Sequence, residues 1–146
     1  MAEKFAPYLI QTYATMQWIE PIWKMVASNK GILAILWELY PSHPLLLEAH
    51  IDNPGLIVDY VQKPLYSREG ANVTLVDASQ GRLNTPGNYG SGGFVYQAAA
   101  HISQFDGNYP VIGSWYVIDQ GACGMGIRES DTPITTNMSR FVPHLF

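Results

Sequence analysis

Apolar residues recur at helical spacing in the first third of the chain. One apolar stripe contains Trp18, Ile22, Met25 and Val26, and a second stripe runs over Ile32–Leu39. Residues three and four positions apart lie on the same face of an α-helix. The pattern therefore predicts two helices, or one helix with a break, in this part of the chain.

Polar and proline residues predict where these helices begin and end. Ser28–Asn29 offers side-chain oxygens that can cap the second helix, and Pro41 marks its end. Pro44 suits the first turn of a short third helix, which we expect over Leu45–Ala49. Asp52–Gly55 combines four residues that are common in turns.

After Leu56 the pattern changes to short runs of β-branched and aromatic residues that are divided by glycine. These runs predict five strands: Ile57–Gln62, Asn72–Asp77, Gly93–Gln97, Val111–Ile118 and Cys123–Arg128. Apolar residues on both faces of Trp115–Ile118 indicate a sheet that is covered on both sides. We expect a two-layer α+β sandwich, with Gly81–Gly93 too rich in glycine for regular structure and therefore a mobile loop.

Length and composition restrict the classes of protein that the chain can belong to. With 146 residues, 47% of them hydrophobic, the chain can form one domain with a substantial core. Charged residues make up only 14%, with a net charge of -4, which argues against nucleic acid as a partner. A single cysteine, Cys123, favours the cytoplasm, and no apolar run has the roughly 20 residues of a membrane span.

The segment Gln62–Val73 is the strongest candidate for chemistry. Lys63 ends a predicted strand and is followed by a polar turn that contains Ser67, Arg68 and Gly70. An ammonium group beside free backbone N–H groups can hold phosphate oxygens. A β-hairpin with a charged turn explains the same residues, and spacing alone favours that simpler interpretation.

Two further basic residues have both a functional and a structural interpretation. Lys30 lies at a predicted helix start, where an ammonium group is unfavourable unless an anion is near, although it can also be a solvated surface lysine. Arg128 ends a strand with alternating glycines and could stabilise a transferring phosphoryl group, or it could pair with Glu129. The four histidines show no metal-ligand spacing.

In their order along the chain, these segments resemble the carboxyl-terminal part of glutathionylspermidine synthase-like proteins from Trp18 onward. The matching motifs are Ile19–Lys24, Ser28–Lys30, Leu36–Glu38, Lys63–Leu65, Ser67–Val73, Phe94–Gln97, Asn108–Trp115, Gly126–Glu129 and Ser139–His144. No single motif is specific, but so many in one order are hard to reach by chance.

The resemblance implies an ATP-grasp-like fold, with amino-terminal helices packed on a mostly antiparallel sheet. It also implies an ATP-dependent ligase that joins a carboxylic acid to an amine through an acyl phosphate. ATP and Mg²⁺ would be required, and the acid and amine could be a glutathione-like peptide and a polyamine. In this interpretation residues 1–146 form the carboxyl-terminal part of the ligase domain, which is incomplete.

The resemblance further assigns roles to individual residues. Lys30 and Lys63 would reach the ATP phosphates, and Arg128 would stabilise the transition state of phosphoryl transfer. The remaining nucleotide-binding residues would be Glu69 and Gly70 in the loop over the nucleotide, Gln97 and Ala98 at the adenine edge, and Ile134 and Thr135 in the pocket wall.

The family's magnesium ligands precede the region that is matched here, and Met1–Gln17 contains no such cluster. Catalysis by this chain alone is therefore open to question. Two other hypotheses are a nucleotide-binding or partner-binding module without catalysis, and a structural domain whose aromatic residues all belong to the core. Stabilisation by nucleotide would argue against the structural domain.

Overall fold

The computed structural model describes residues 8, 11–18, 23–119 and 121–145, and it describes residues 112 and 114–118 by their backbone only. Residues 19–22, which belong to the predicted first helical stripe, lie outside this range. The predicted coverage of both faces of Trp115–Ile118 concerns side chains that are also outside it.

Within residues 23–119, two short helices precede the first strand. Helix α1 spans Lys24–Ser28 and helix α2 spans Ile32–Leu39. The predicted cap at Ser28–Asn29 is wrong in position, because the residue that caps α2 is Gly31. Asn29 instead accepts a hydrogen bond from the backbone N–H of Gly31 at 2.8 Å, so its side chain stabilises the turn between the helices.

All strand pairs are antiparallel, and the strands form two sheets. The first sheet has the order β1-β5-β2-β3-β4 and the second has the order β6-β7-β8. The strands are β1 Ala49–Ile51, β2 Tyr60–Pro64, β3 Thr74–Asp77, β4 Gly81–Asn84, β5 Phe94–Ala98, β6 Tyr109–Ile118, β7 Gly121–Ser130 and β8 Arg140–Val142. The described part of the chain is thus α+β with antiparallel sheets, as predicted.

The sequence pattern missed three of these strands. The short helix expected over Leu45–Ala49 is wrong, because Ala49 begins β1 and pairs with Gln97 of β5. A short segment with three successive leucines fits a strand as well as a helix, and the edge of β5 decides that its end pairs as a strand. Strand β8 is only three residues long and pairs with β7.

Strand β4 corrects the prediction that Gly81–Gly93 has no regular structure. The first four residues of this segment, Gly81–Asn84, form β4 and pair with Thr74–Asp77 of β3. The carboxylate of Asp77 accepts hydrogen bonds from the backbone N–H groups of Ser79 and Gln80, which closes the turn between β3 and β4. The glycine-rich part of the segment follows the strand, from Gly87 to Gly93.

The buried core lies where α2 packs on β1 and β5. Ala34, Ala49 and Val95 form its centre, and Leu33, Trp37 and Leu65 pack around them. Many large apolar side chains remain exposed, including Trp23 and Leu39 in the helical part. The core of the described residues is therefore smaller than the hydrophobic share of the sequence predicts.

One face of the larger sheet is covered by a helix at one end of β2 and is open to a cavity along the rest of the strand. Val61 and Lys63 are two residues apart in β2 and therefore point to the same face, and Leu65 follows directly after the strand. Leu65 packs against the core beneath α2, whereas Val61 and Lys63 line an open cavity. No helix within the described range is long and apolar enough to cross a membrane.

Candidate functional site

A cavity of about 320 Å³ lies on the face of the larger sheet beside the helical core. Its floor follows the strand register, because Leu75 of β3 and Gln97 of β5 lie opposite Val61 of β2. The remaining apolar lining comes mainly from Val73, Ala100, Ile102 and Pro133. An apolar floor of this kind suits a flat organic group.

One end of the cavity is basic. Lys30, Lys63 and Arg68 line the cavity, with Glu69 as the one acidic residue among the described residues that do so. They lie near one another, because the Lys30 ammonium group bonds the carbonyl of Ser67, next to Arg68, and its charge acts on Lys63. The structure thus brings Lys30 and Lys63 into one cavity, although 32 positions separate them in the sequence. Three cationic side chains in one concave site favour an anionic ligand.

The Lys63 side chain is partly buried and has a defined position. Its Nζ donates a hydrogen bond to Oε1 of Gln97 at 2.8 Å. Burial lowers the pKa of Lys63 below the 10.5 of an exposed lysine, and the nearby charge of Lys30 lowers it further. Both effects disfavour the ammonium form, and a bound anion would oppose both of them.

The sequence pattern predicted that Lys30 lies at a helix start. In the structure, Lys30 lies in the turn between the two helices and reaches the cavity from there. Its backbone N–H donates to the carbonyl of Leu65 at 2.9 Å, and its Nζ donates to the carbonyl of Ser67 at 2.7 Å. These two contacts join the helical part to the end of β2. They place the Lys30 ammonium group beside the turn that follows β2.

That turn, Ser67–Asn72, has an uncommon backbone conformation. Glu69, Gly70 and Asn72 have φ angles of 52°, 68° and 54°. A Cβ atom on Gly70 would clash with the backbone carbonyl of Thr135, so a glycine is needed for the turn to approach the loop after β7. The Thr85 hydroxyl donates to the carbonyl of Gly70 and fixes the turn from its other side.

Arg128 lies outside the cavity lining but supports one of its walls. Its Nη2 donates to the carbonyls of Thr136 and Ser139, at 2.7 and 3.3 Å. The guanidinium group also lies 5.2 Å from the centre of the Phe141 ring. Arg128 therefore helps to hold the loop that carries Ile134 and Thr135 to the cavity.

The cavity brings together eight of the nine residues that the sequence analysis assigned to the site. They are Lys30, Lys63, Glu69, Gly70, Gln97, Ala98, Ile134 and Thr135. The assignment missed Arg68 and the apolar floor. Period-two spacing of Val61 with Lys63, and of Val73 with Leu75, was the signal that could have identified the floor.

Metal-binding groups are sparse in the described part of the chain. No three His, Cys, Asp or Glu side chains within it lie close enough together to hold a metal ion. Cys123 is exposed on β7, away from the residues that line the cavity.

Comparisons with known proteins identify the family of this chain. The family model for the glutathionylspermidine synthase preATP-grasp domain matches residues 1–146. The "Putative acid--amine ligase" of Haemophilus influenzae is 46% identical over 144 residues, which cover 92% of this chain and 36% of that protein. Trypanothione synthetase of Crithidia fasciculata is 36% identical over 121 residues, which cover 81% of this chain and 18% of that protein.

A third relative, the bifunctional glutathionylspermidine synthetase/amidase of Escherichia coli, is 36% identical over 93 residues, which cover 62% of this chain and 15% of that protein. The chain therefore spans about a third or less of the relatives it matches. The class that these relatives define is that of acid-amine ligases and synthetases. The chain belongs to the glutathionylspermidine synthase family.

The close approach of the two cavity walls can be tested at Gly70. We expect Gly70→Ala to lower the free energy of unfolding by about 1–3 kcal/mol or more, because both the positive φ and the Thr135 carbonyl oppose a Cβ atom. Gly107→Ala is the matched control, since Gly107 has a φ of 80° and nothing within 4 Å of its Cβ position. Urea unfolding measures both variants, and equal losses would contradict the proposed clash.

The support that Arg128 gives to the loop can be tested separately. Arg128→Ala should lower the free energy of unfolding by about 1.5–3 kcal/mol, because it removes charge-assisted hydrogen bonds to two carbonyls. It should also speed hydrogen exchange at the Thr136 amide, which donates to Ser139. Arg140→Ala is the control, because that exposed arginine bonds Asn108 instead. Unchanged exchange at Thr136 would argue against this role.

Proposed function

We propose that this protein contributes the nucleotide-binding part of an ATP-dependent ligase that joins a carboxylic acid to an amine. The observation that carries the proposal is the convergence of Lys30, Lys63 and Gln97 on one cavity with a basic end and an apolar floor. They come from three separate parts of the chain. The cavity they line is complementary to a nucleotide, which has charged phosphates at one end and a flat base at the other.

In the proposed complex, Lys30 and Lys63 contact phosphate oxygens. Both ammonium groups are already held, Lys30 by the Ser67 carbonyl and Lys63 by Gln97, so little side-chain freedom is lost when an anion binds. Glu69 and Gly70 belong to the turn that covers the nucleotide. The contacts of this turn with Thr85 and with the Thr135 loop support such a covering position.

The base is proposed to lie over Val61 and Leu75, with Gln97 and Ala98 at its edge. The backbone N–H of Ala98 is already donated to the carbonyl of Glu48 at 2.8 Å. The backbone of Ala98 therefore has no hydrogen-bond donor left for the base. Ile134 and Thr135 complete the opposite wall.

The proposed reaction has two steps. The acid's carboxylate attacks the γ-phosphorus of ATP and gives an acyl phosphate and ADP. The amine then attacks the acyl carbon, which forms the amide and releases phosphate. The basic groups of the cavity bind and orient the phosphates and offset their charge, which is the main contribution of a protein to phosphoryl transfer.

Arg128 is proposed to stabilise the charge on the transferring phosphoryl group. One of its nitrogens, Nη2, is engaged by the loop carbonyls, whereas the buried Nε has no hydrogen-bond partner in the described structure. An unpaired buried donor is costly unless a ligand or a neighbouring segment satisfies it. We therefore retain Arg128 as the proposed transition-state residue and add to it the positioning of the loop.

Magnesium is expected for this chemistry, but the cavity residues do not fit a magnesium site. Mg²⁺ prefers several oxygen ligands in octahedral geometry, and Glu69 is the one carboxylate among the described residues that line the cavity. The acid and the amine are proposed to be a peptide and a polyamine, because one relative is a bifunctional glutathionylspermidine synthetase/amidase.

Nucleotide binding is testable with this chain. ATP should raise its unfolding temperature and bind in calorimetry, since a ligand that binds only the folded state stabilises it. Lys63→Gln should weaken ATP binding by about 10- to 100-fold, because it removes one charge-assisted phosphate contact. Lys24→Gln is the control, as Lys24 lies on exposed α1. Equal affinity of both variants would refute the phosphate assignment, and binding without ADP release would favour the non-catalytic module.

The pKa of Lys63 predicts how binding depends on pH. The pKa of Lys63 is lower in the folded protein than the 10.5 of an exposed lysine. Below the folded pKa, the charged lysine therefore destabilises the free folded protein, and this destabilisation is lost as the pH rises through the folded pKa towards 10.5. ATP needs the charged form, so affinity should fall as the pH rises, at a lower pH than for an exposed lysine. Lys63→Arg should shift this fall to higher pH. Calorimetry over a pH series measures both proteins, and coincident curves would contradict the prediction.

A further inference from the structure

Lys63 has features of a reactive amine as well as those of a phosphate ligand. The chain has four lysines, at positions 4, 24, 30 and 63. Lys30 and Lys63 are the two that line the cavity, and Lys30 directs its Nζ to the carbonyl of Ser67. Lys63 has its Nζ against the oxygen of Gln97, next to open cavity space.

The cavity can hold an anion beside this amine. Lys30 and Arg68 supply positive charge at the same end, and Glu69 is the one acidic side chain among the described residues there. In the free cavity, burial and the charge of Lys30 lower the pKa of Lys63, so a larger share of Lys63 than of an exposed lysine is in the neutral, nucleophilic form when the electrophile arrives. An electrophile that carries a phosphate group would therefore be concentrated next to a nucleophile.

We propose that Lys63 is an acylation site, at which an acyl phosphate held by Lys30 and Arg68 transfers its acyl group to the Lys63 amine. The neutral nitrogen attacks the acyl carbon and a C–N bond forms. The bond between the acyl carbon and the phosphate oxygen breaks, inorganic phosphate leaves, and the nitrogen releases one proton to water. The product is a neutral amide, and no oxidant or reductant is needed.

Acylation would weaken phosphate binding at the basic end of the cavity. The amide has lost the positive charge of Lys63 and two of its hydrogen-bond donors, so phosphates would be held by Lys30 and Arg68 only. The inference rests on the proposed function in one respect, because the proposed ligase reaction generates an acyl phosphate in this same site. Small acyl phosphates from other reactions have the same chemistry and would serve equally.

Acetyl phosphate is the probe for this inference. We incubate the folded wild-type chain with it and measure acetylation at each lysine by peptide mass spectrometry. Lys63 should react faster than exposed Lys24 by on the order of 10-fold, because binding raises the local concentration of the reagent. Excess inorganic phosphate should slow the acetylation of Lys63 and leave the acetylation rate of Lys24 unchanged. In urea, where the cavity is lost, the preference should disappear.

Two outcomes would overturn the inference. The first is acetylation of Lys63 no faster than that of Lys24. The second concerns p-nitrophenyl acetate, which has no phosphate group. If it gives the same ratio of Lys63 to Lys24 acetylation rates as acetyl phosphate, the preference does not depend on anion binding.

ATP separates this inference from the proposed function. Protection of Lys63 by phosphate but not by ATP supports acylation and contradicts nucleotide binding. Binding of ATP by a chain whose Lys63 resists acetyl phosphate supports nucleotide binding and contradicts acylation.

Discussion

The antiparallel register of β2 between β3 and β5 is the constraint on which the cavity depends. Side chains along a strand alternate between faces, so a slip of one residue would move Val61 and Lys63 to the opposite side of the sheet. The register also places Leu75 and Gln97 opposite Val61. Both neighbours of β2 are needed, since one provides the apolar floor and the other provides the oxygen that fixes Lys63.

The helical part stabilises this sheet and also contributes to the site. Helix α2 packs Ala34 against Ala49 and Val95. The turn before α2 then joins Lys30 to the end of β2 through the Leu65 and Ser67 carbonyls. The same short segment thus connects core and cavity, which explains how Lys30, although distant in sequence, reaches the charged end.

The two sheets contribute unequally to the site. The larger sheet supplies the floor and Lys63, whereas the smaller sheet supplies a loop that Arg128 holds by its backbone carbonyls. Gly70 allows this loop to approach the turn after β2. The cavity therefore lies where the turn after β2 meets the loop after β7, and its shape depends on that contact.

The sequence alone determined the local features of this protein: α2 with its end before Pro41, five of the strands, the turn at Asp52–Gly55 and, through ordered motifs, the family. These depend on neighbouring residues, and local periodicity and turn chemistry report them. Tertiary structure decided that Leu45–Ala49 leads into a strand and that Arg128 supports a loop. Both outcomes depend on partners distant in sequence, the edge of β5 and the Thr136 carbonyl, which no local pattern can reveal.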